Sequence, residues 1–258
     1  TGLRWVWLII LLRRYTEMKI SSKFMKEHFY LGLPLVITTL ISGSAQYIDG
    51  IIVSAVYRDP EWFAWFRYGA KEFPLALMLA NGLSNAMLPE FSTRNQMKDS
   101  LAKIKEKSKT LMHICFPSTM VIMLFARWIY PRMFTPEFQK SADIFLLYSL
   151  LVIPRLIFPH TIIVGRKKTH IALFAAIFEL ILNIFLSIFM LHKGYGPVGV
   201  AVSTFIVYTA GKIFLAGYVW IKMKIPPVQY IPVKVYLIYS AIISILFVLI
   251  DHRIIDIK

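Results

Sequence analysis

Seven stretches of this chain are apolar for long enough to cross a lipid bilayer, and they dominate what the sequence can fold into. They run over residues 31–56, 69–91, 110–130, 141–164, 168–191, 196–221 and 232–250. As helices, about 20 residues cover the hydrocarbon core, and tilt absorbs the excess of the longer stretches. Lipid offers no partner to an unpaired backbone amide, so helices are expected throughout. Barrel strands would instead alternate apolar and polar residues over about ten positions. The pattern predicts an all-α, polytopic membrane helical bundle.

Composition agrees. Of 258 residues 57% are hydrophobic and 17% charged, and the mean hydropathy is +0.62, whereas a soluble domain of this size carries far more charge. The net charge of +15 does not point to nucleic acid, because no basic stretch carries the motif of a binding module. It follows the alternation of loops instead. Arg13, Arg14, Lys19, Lys23 and Lys26, then Arg94 to Lys109, then Arg166–Lys168, then Lys222, Lys224 and Lys234 fall on one side. They outnumber the opposite set (Arg58, Arg67, Lys71, Arg127, Arg132, Lys140, Lys193, Arg253 and Lys258) by about two to one. The richer side is expected to be cytoplasmic, at the bacterial inner membrane.

Several function classes are weakened at the same stage. Cys115 is the single cysteine, which excludes a disulfide within the chain. The six histidines lack metal-ligand spacing, so no metal or other cofactor is expected. No phosphate-loop motif is present, and neither a Ser/His/Asp order nor a paired-carboxylate cluster suggests an enzyme.

The boundaries read as follows. Residues 1–12 (TGLRWVWLIILL) are too short to span and are taken as the end of a truncated transmembrane helix. Residues 13–30 form a cytoplasmic linker, either amphipathic along the anionic leaflet or a solvated loop. Residues 31–222 hold six spans, and residues 223–258 add a further transmembrane helix and a tail.

Charges at bilayer depth are costly and normally face a protein interior or a water-filled cavity. Ser42, Gln46 and Asp49 lie at i, i+4 and i+7, one polar stripe on an apolar helix. Asp49 either lines a cavity or reaches headgroup water. In RYGAKEFPLALMLANGL, Arg67 and Lys71 are four apart, which puts two like charges on one helical face. They either snorkel, with Glu72 as counter-charge, or grip an anionic headgroup by charge-assisted hydrogen bonds. Asn81 and Asn85 follow on the same predicted helix, as a hydrogen-bonding wall or as contacts to a neighbouring helix. Arg155, between Pro154 and Pro159, is predicted to sit at a kink, with Glu179 as one candidate acceptor. Glu179 and Asn183 share a face. Lys212 is near enough to the cytoplasmic end to snorkel. KGYGPVGVAVSTF, rich in small residues, reads as a close-packing surface.

Taken in order, LPLVITTLISGSAQYIDGIIVS, FRYGAKEFPLALMLANGLSNAMLPEFS, YSLLVIPRLIF and FELILNIFLSIFMLHKGYGPVGVAVSTF resemble the carboxy-terminal half of bacterial polysaccharide (O-antigen) flippases. These belong to the multidrug/oligosaccharidyl-lipid/polysaccharide exporter superfamily, with the multidrug and toxic-compound extrusion (MATE) transporters and the lipid II flippase. The resemblance runs from about residue 5 to 222. It implies two six-helix lobes around a central cavity, of which residues 31–222 would be the second and a missing amino-terminal lobe the partner. It implies cavity cations that hold a lipid diphosphate, a role carried to Arg67, Lys71 and Arg155, and acidic coupling residues, Asp49, Glu72 and Glu179. The implied cargo is a lipid-linked oligosaccharide of the undecaprenyl-diphosphate type, moved by alternating access. A cation-coupled multidrug exporter, a membrane glycan polymerase or acyltransferase, and an inactive truncated product are the other readings. The exporter is disfavoured because the intramembrane charges lean basic.

Overall fold

The computed structural model describes residues 2–15, 21–92 and 97–255, with the side chains of Leu3, Arg13, Tyr15, Ala45 and Gln46 excepted. Among them lie eleven α-helices and no strand. They are α1 (Gly2–Tyr15), α2 (Ser22–Tyr57), α3 (Pro60–Gly69), α4 (Pro74–Ser92), α5 (Met97–Met133), α6 (Gln139–Ser149), α7 (Val152–Arg155), α8 (Pro159–Gly165), α9 (Thr169–His192), α10 (Gly196–Met223) and α11 (Val233–Asp251).

Two helices extend well past the apolar stretches that predict them. α2 has 36 residues and α5 has 37, about 54–56 Å at 1.5 Å per residue, against the ~30 Å of hydrocarbon. α2 starts where the Ser21 hydroxyl accepts the Phe24 amide at 3.3 Å, so residues 22–30, read from sequence as linker, are helical. α1 likewise continues to Tyr15; the rest of the linker, residues 16–20, lies outside the described residues. In the basic 92–109 segment, Met97 onward is already helix, and residues 93–96 lie outside the described residues.

Five helices, α2, α5, α9, α10 and α11, are long and apolar enough to span, and α6–α7 with α8 make a sixth, bent by 50°. The bend falls at residues 156–158, where Pro159 can begin a helix but not continue one. The same chemistry divides the predicted span 69–91. Pro74 is the first residue of α4, not one turn inside it, and residues 70–73 are non-helical. α4 carries Asn81, Ser84 and Asn85 across its middle, which keeps it outside the purely apolar set.

Packing follows from side-chain size at the crossings. α9 lies against both α2 and α10, and α4 against α5 and α8. Gly165 permits the α4–α8 approach: a Cβ there would stand 2.6 Å from Phe91 Cβ. Phe66, Phe116, Met123, Leu146, Leu156 and Ile162 fill the core. α11 is fastened to α5, where Tyr239 stacks on Phe116 at 5.2 Å and meets His113 Nδ1 at 2.9 Å. Arg127 of α5 donates to the Ile250 carbonyl at 2.6 Å and pairs with Asp143 at 2.8 Å. Large apolar side chains such as Ile181, Phe185, Ile213 and Ile245 point outward, the surface expected of a bundle solvated by acyl chains.

The arrangement fixes an orientation test. Lys107 and Lys193 are exposed at opposite ends of the bundle and Cys115 is buried. Single cysteines at the two lysine positions should label from opposite faces with a membrane-impermeant maleimide. Labelling of both from one face would invalidate the topology.

Candidate functional site

An open cavity of about 830 Å³ runs along the inner face of α2, α4, α6–α8, α9 and α10. Seven of its lining residues are acidic or basic: Asp49, Lys71, Glu72, Arg155, His160, Glu179 and Lys212. They fall into two groups.

The first centres on Asp49, which is 2% exposed. It faces this cavity from α2 and does not reach outer water. Its Oδ2 accepts the Thr204 hydroxyl at 2.6 Å and the Tyr148 hydroxyl at 2.9 Å. Thr204 in turn accepts from Asn183 Nδ2 at 3.3 Å, and Ser187 donates to Asn183 Oδ1 at 2.9 Å. The chain of bonds links α2, α6, α9 and α10. Asp49 Oδ1 is buried with no partner among the described residues. Ser42 lines the cavity as the stripe predicts, whereas the Gln46 side chain lies outside the described residues.

The second group centres on Arg155 at the end of α7. The free backbone of the kink lets its guanidinium reach back to the non-helical 70–73 segment. There Glu72 takes it in a two-bond fork, Nε to Oε2 at 2.9 Å and the second amino group to Oε1. Both are mostly buried, at 17% and 21% exposure. The acceptor is therefore Glu72, not the Glu179 suggested by sequence, and Glu72 is not the counter-charge of Arg67 and Lys71. Arg155 also lies over the Tyr208 ring at 4.8 Å, and Lys212 over the same ring at 5.3 Å. Lys212 thus lines the cavity instead of snorkelling. Gly211 makes room for Glu179, whose carboxylate a Cβ at that position would overlap.

Arg67 and Lys71 do not share a helical face, because α3 ends at Gly69 and Lys71 falls in the break. Arg67 is outside the cavity, in a small pocket between the Tyr47 and Phe63 rings at 5.3 and 5.9 Å. Lys71 borders both spaces. Asn81, Asn85 and Asn183 all line the cavity, and Ser84 beside them bonds Thr161 of α8 at 2.6 Å. Sequence reasoning missed Tyr148, Thr204, Tyr208 and His160; the spacing of Thr204, Tyr208 and Lys212 at i, i+4 and i+8 on α10 is the signal that could have found two of them. Three acids (Asp49, Glu72, Glu179) face three bases (Lys71, Arg155, Lys212), so the lining is formally neutral with His160 uncharged. The expected basic excess is absent, because Arg67 does not contribute.

The bundle has the fold seen in solved structures of MOP-superfamily transporters. A MOP-superfamily transporter from Pyrococcus furiosus matches with TM-score 0.62 and 21% identity, over 85% of this chain and 52% of that one. A lipid II flippase MurJ in an inward closed conformation matches with TM-score 0.59 and 23% identity, over 92% and 50%. An outward-facing multidrug-resistance MATE transporter matches with TM-score 0.58 and 21% identity, over 83% and 50%. The chain spans about half the length of these structures. No curated protein matches it. The family model of the lipid II flippase MurJ matches residues 3–255, and the chain belongs to that family.

Thr204→Val and Tyr148→Phe each remove one donor from a buried carboxylate. Each should lower the unfolding free energy in detergent micelles by about 1–3 kcal/mol. A change under about 0.5 kcal/mol for both would mean that Asp49 is not held by these bonds.

Proposed function

We propose that the chain supplies one lobe of a flippase that carries a saccharide on a polyprenyl diphosphate across the bacterial cytoplasmic membrane by alternating access. The observation that carries the reading is the juxtaposition, inside a family of lipid II flippases, of an open cavity with cations at its wall. The polyprenyl tail can stay in lipid, whereas the diphosphate and sugars need a polar path, since a bare charge in hydrocarbon costs several kcal/mol or more.

In this reading Lys71, Arg155 and Lys212 face the diphosphate, and Asn81, Asn85 and Asn183 present amide donors and acceptors to sugar hydroxyls. Arg67 acts at the rim. Asp49 is the best placed of the acids to couple transport to a cation gradient, because its second oxygen is unpartnered among the described residues. Glu179 stands behind it, and Glu72 is engaged with Arg155. A lipid II-type cargo is favoured by the family match, and an O-antigen or other polysaccharide precursor shares the same carrier chemistry. The partner is an amino-terminal lobe closing the open side of the cavity, supported by the half-length coverage of the solved relatives. The MATE likeness keeps a multidrug exporter as the second reading, and the neutral lining removes the electrostatic objection to it.

Proteoliposomes containing only the 258-residue chain should bind a fluorescent undecaprenyl-diphosphate saccharide without moving it between leaflets. Lys71→Glu should weaken that binding at least tenfold, and Arg67→Glu less. Flipping by the chain alone would overturn the one-lobe assignment, and failure to bind would overturn the cargo.

A further inference from the structure

Arg155 is held on two sides and Glu72 on one. The guanidinium sits at the end of a helix and over the Tyr208 ring at 4.8 Å, while Glu72 rides on the four-residue gap between α3 and α4, outside any helical hydrogen-bond ladder. Of the two partners, Glu72 is the one free to leave. A carboxylate and a phosphate present the same pair of oxygens to a guanidinium fork. Glu72 therefore occupies the place that a phosphate on a cavity ligand would take. Lys71, its neighbour in the chain, is exposed at the same cavity wall and has no carboxylate within ion-pairing distance among the described residues.

We propose that Glu72 is a specificity-determining residue, an internal competitor at Arg155 that selects ligands carrying two phosphate charges over ligands carrying one. The inference rests on the diphosphate reading above and goes beyond it. The charge count decides the selection. A ligand with a single charge that displaces Glu72 exchanges one anion for another at Arg155 and leaves the displaced carboxylate without its partner. Leaving one member of a buried pair uncompensated is costly. A diphosphate brings a second charge, which Lys71 can meet as the 70–73 gap moves with Glu72. The second pairing offsets the loss. The contacts are charge-assisted, and the one at Arg155 is made where the guanidinium is only 17% exposed, which strengthens it relative to an open surface.

The test compares the same sugar carried on undecaprenyl diphosphate and on undecaprenyl monophosphate as a phosphodiester. Binding is measured to the 258-residue chain in nanodiscs. Wild type should prefer the diphosphate by tenfold or more. Glu72→Gln should raise affinity for the monophosphate and cut the preference to within about threefold. Arg155→Gln should weaken both ligands. A structural role for Glu72 would lower both affinities together and leave their ratio intact, and an unchanged ratio overturns the proposal. Glu72→Asp withdraws the charge by one methylene. If Glu72→Gln does not fold, an intermediate ratio in Glu72→Asp supports the competitor role and a wild-type ratio overturns it. Inorganic pyrophosphate should displace the lipid only at far higher concentration, and equal potency would overturn the lipid assignment. No binding of either lipid by any of these proteins would sink the diphosphate reading itself, and the competitor role with it.

Discussion

A guanidinium cannot be deprotonated under ordinary conditions, so an arginine set between hydrocarbon-facing helices must bring its own neutralisation. Arg155 meets that requirement with Glu72 and Tyr208, and much of the local architecture follows. The guanidinium needs a carboxylate that a continuous helix would not deliver, and residues 70–73 are non-helical. It needs its own backbone turned toward the cavity, and the chain bends by 50° between α7 and α8. It needs an aromatic face, and α10 brings Tyr208. Two interrupted helices and one straight one therefore meet at a single charged group.

The Asp49 group is built on the opposite plan. α2, α9 and α10 are continuous where they meet, and the polar groups that cross between them are a hydroxyl network, not an ion pair. Neutral donors around a carboxylate hold it in place without cancelling its charge. The Arg155–Glu72 fork cancels charge and leaves little behind. One side of the cavity thus holds a carboxylate among neutral donors, while the other holds a cation behind a carboxylate, the arrangement on which the proposed exchange at Arg155 rests.

How much of this was legible in the sequence depends on whether a feature is local. The spans were, because lipid imposes length and apolarity on each helix independently, and Asp49 stood out because Ser42 marks the same helical face. Arg155 was flagged by its flanking prolines. Its partner was not, because a fork between residues 83 positions apart depends on how two helix breaks meet in space. Pro74 was the most misleading residue. A helix continuous through Pro74 would put Arg67 and Lys71 on one face; with α3 ending at Gly69 and Pro74 opening α4 they part, and Arg67 turns to the Tyr47 and Phe63 rings instead. Tyr148 carried no signal, since a tyrosine in an apolar run is ordinary until a carboxylate is found opposite it, whereas Thr204 shares a face with Tyr208 and Lys212 at a spacing of four.

The neutral sum of the lining also changes what the cavity's charges can be for. A basic wall would attract any anion and hold it; a wall of three acids and three bases gives no net pull, so a ligand gains only by re-pairing groups already present. Such a surface is poor at capture and good at exchange. In the proposed role of a carrier that releases its cargo on the far side, weak net attraction is an advantage, because tight ground-state binding would slow departure without helping the crossing. In the proposed role, selectivity comes from geometry and from the number of charges a ligand can redistribute, which is where the helix gap carrying Lys71 and Glu72 acquires its importance.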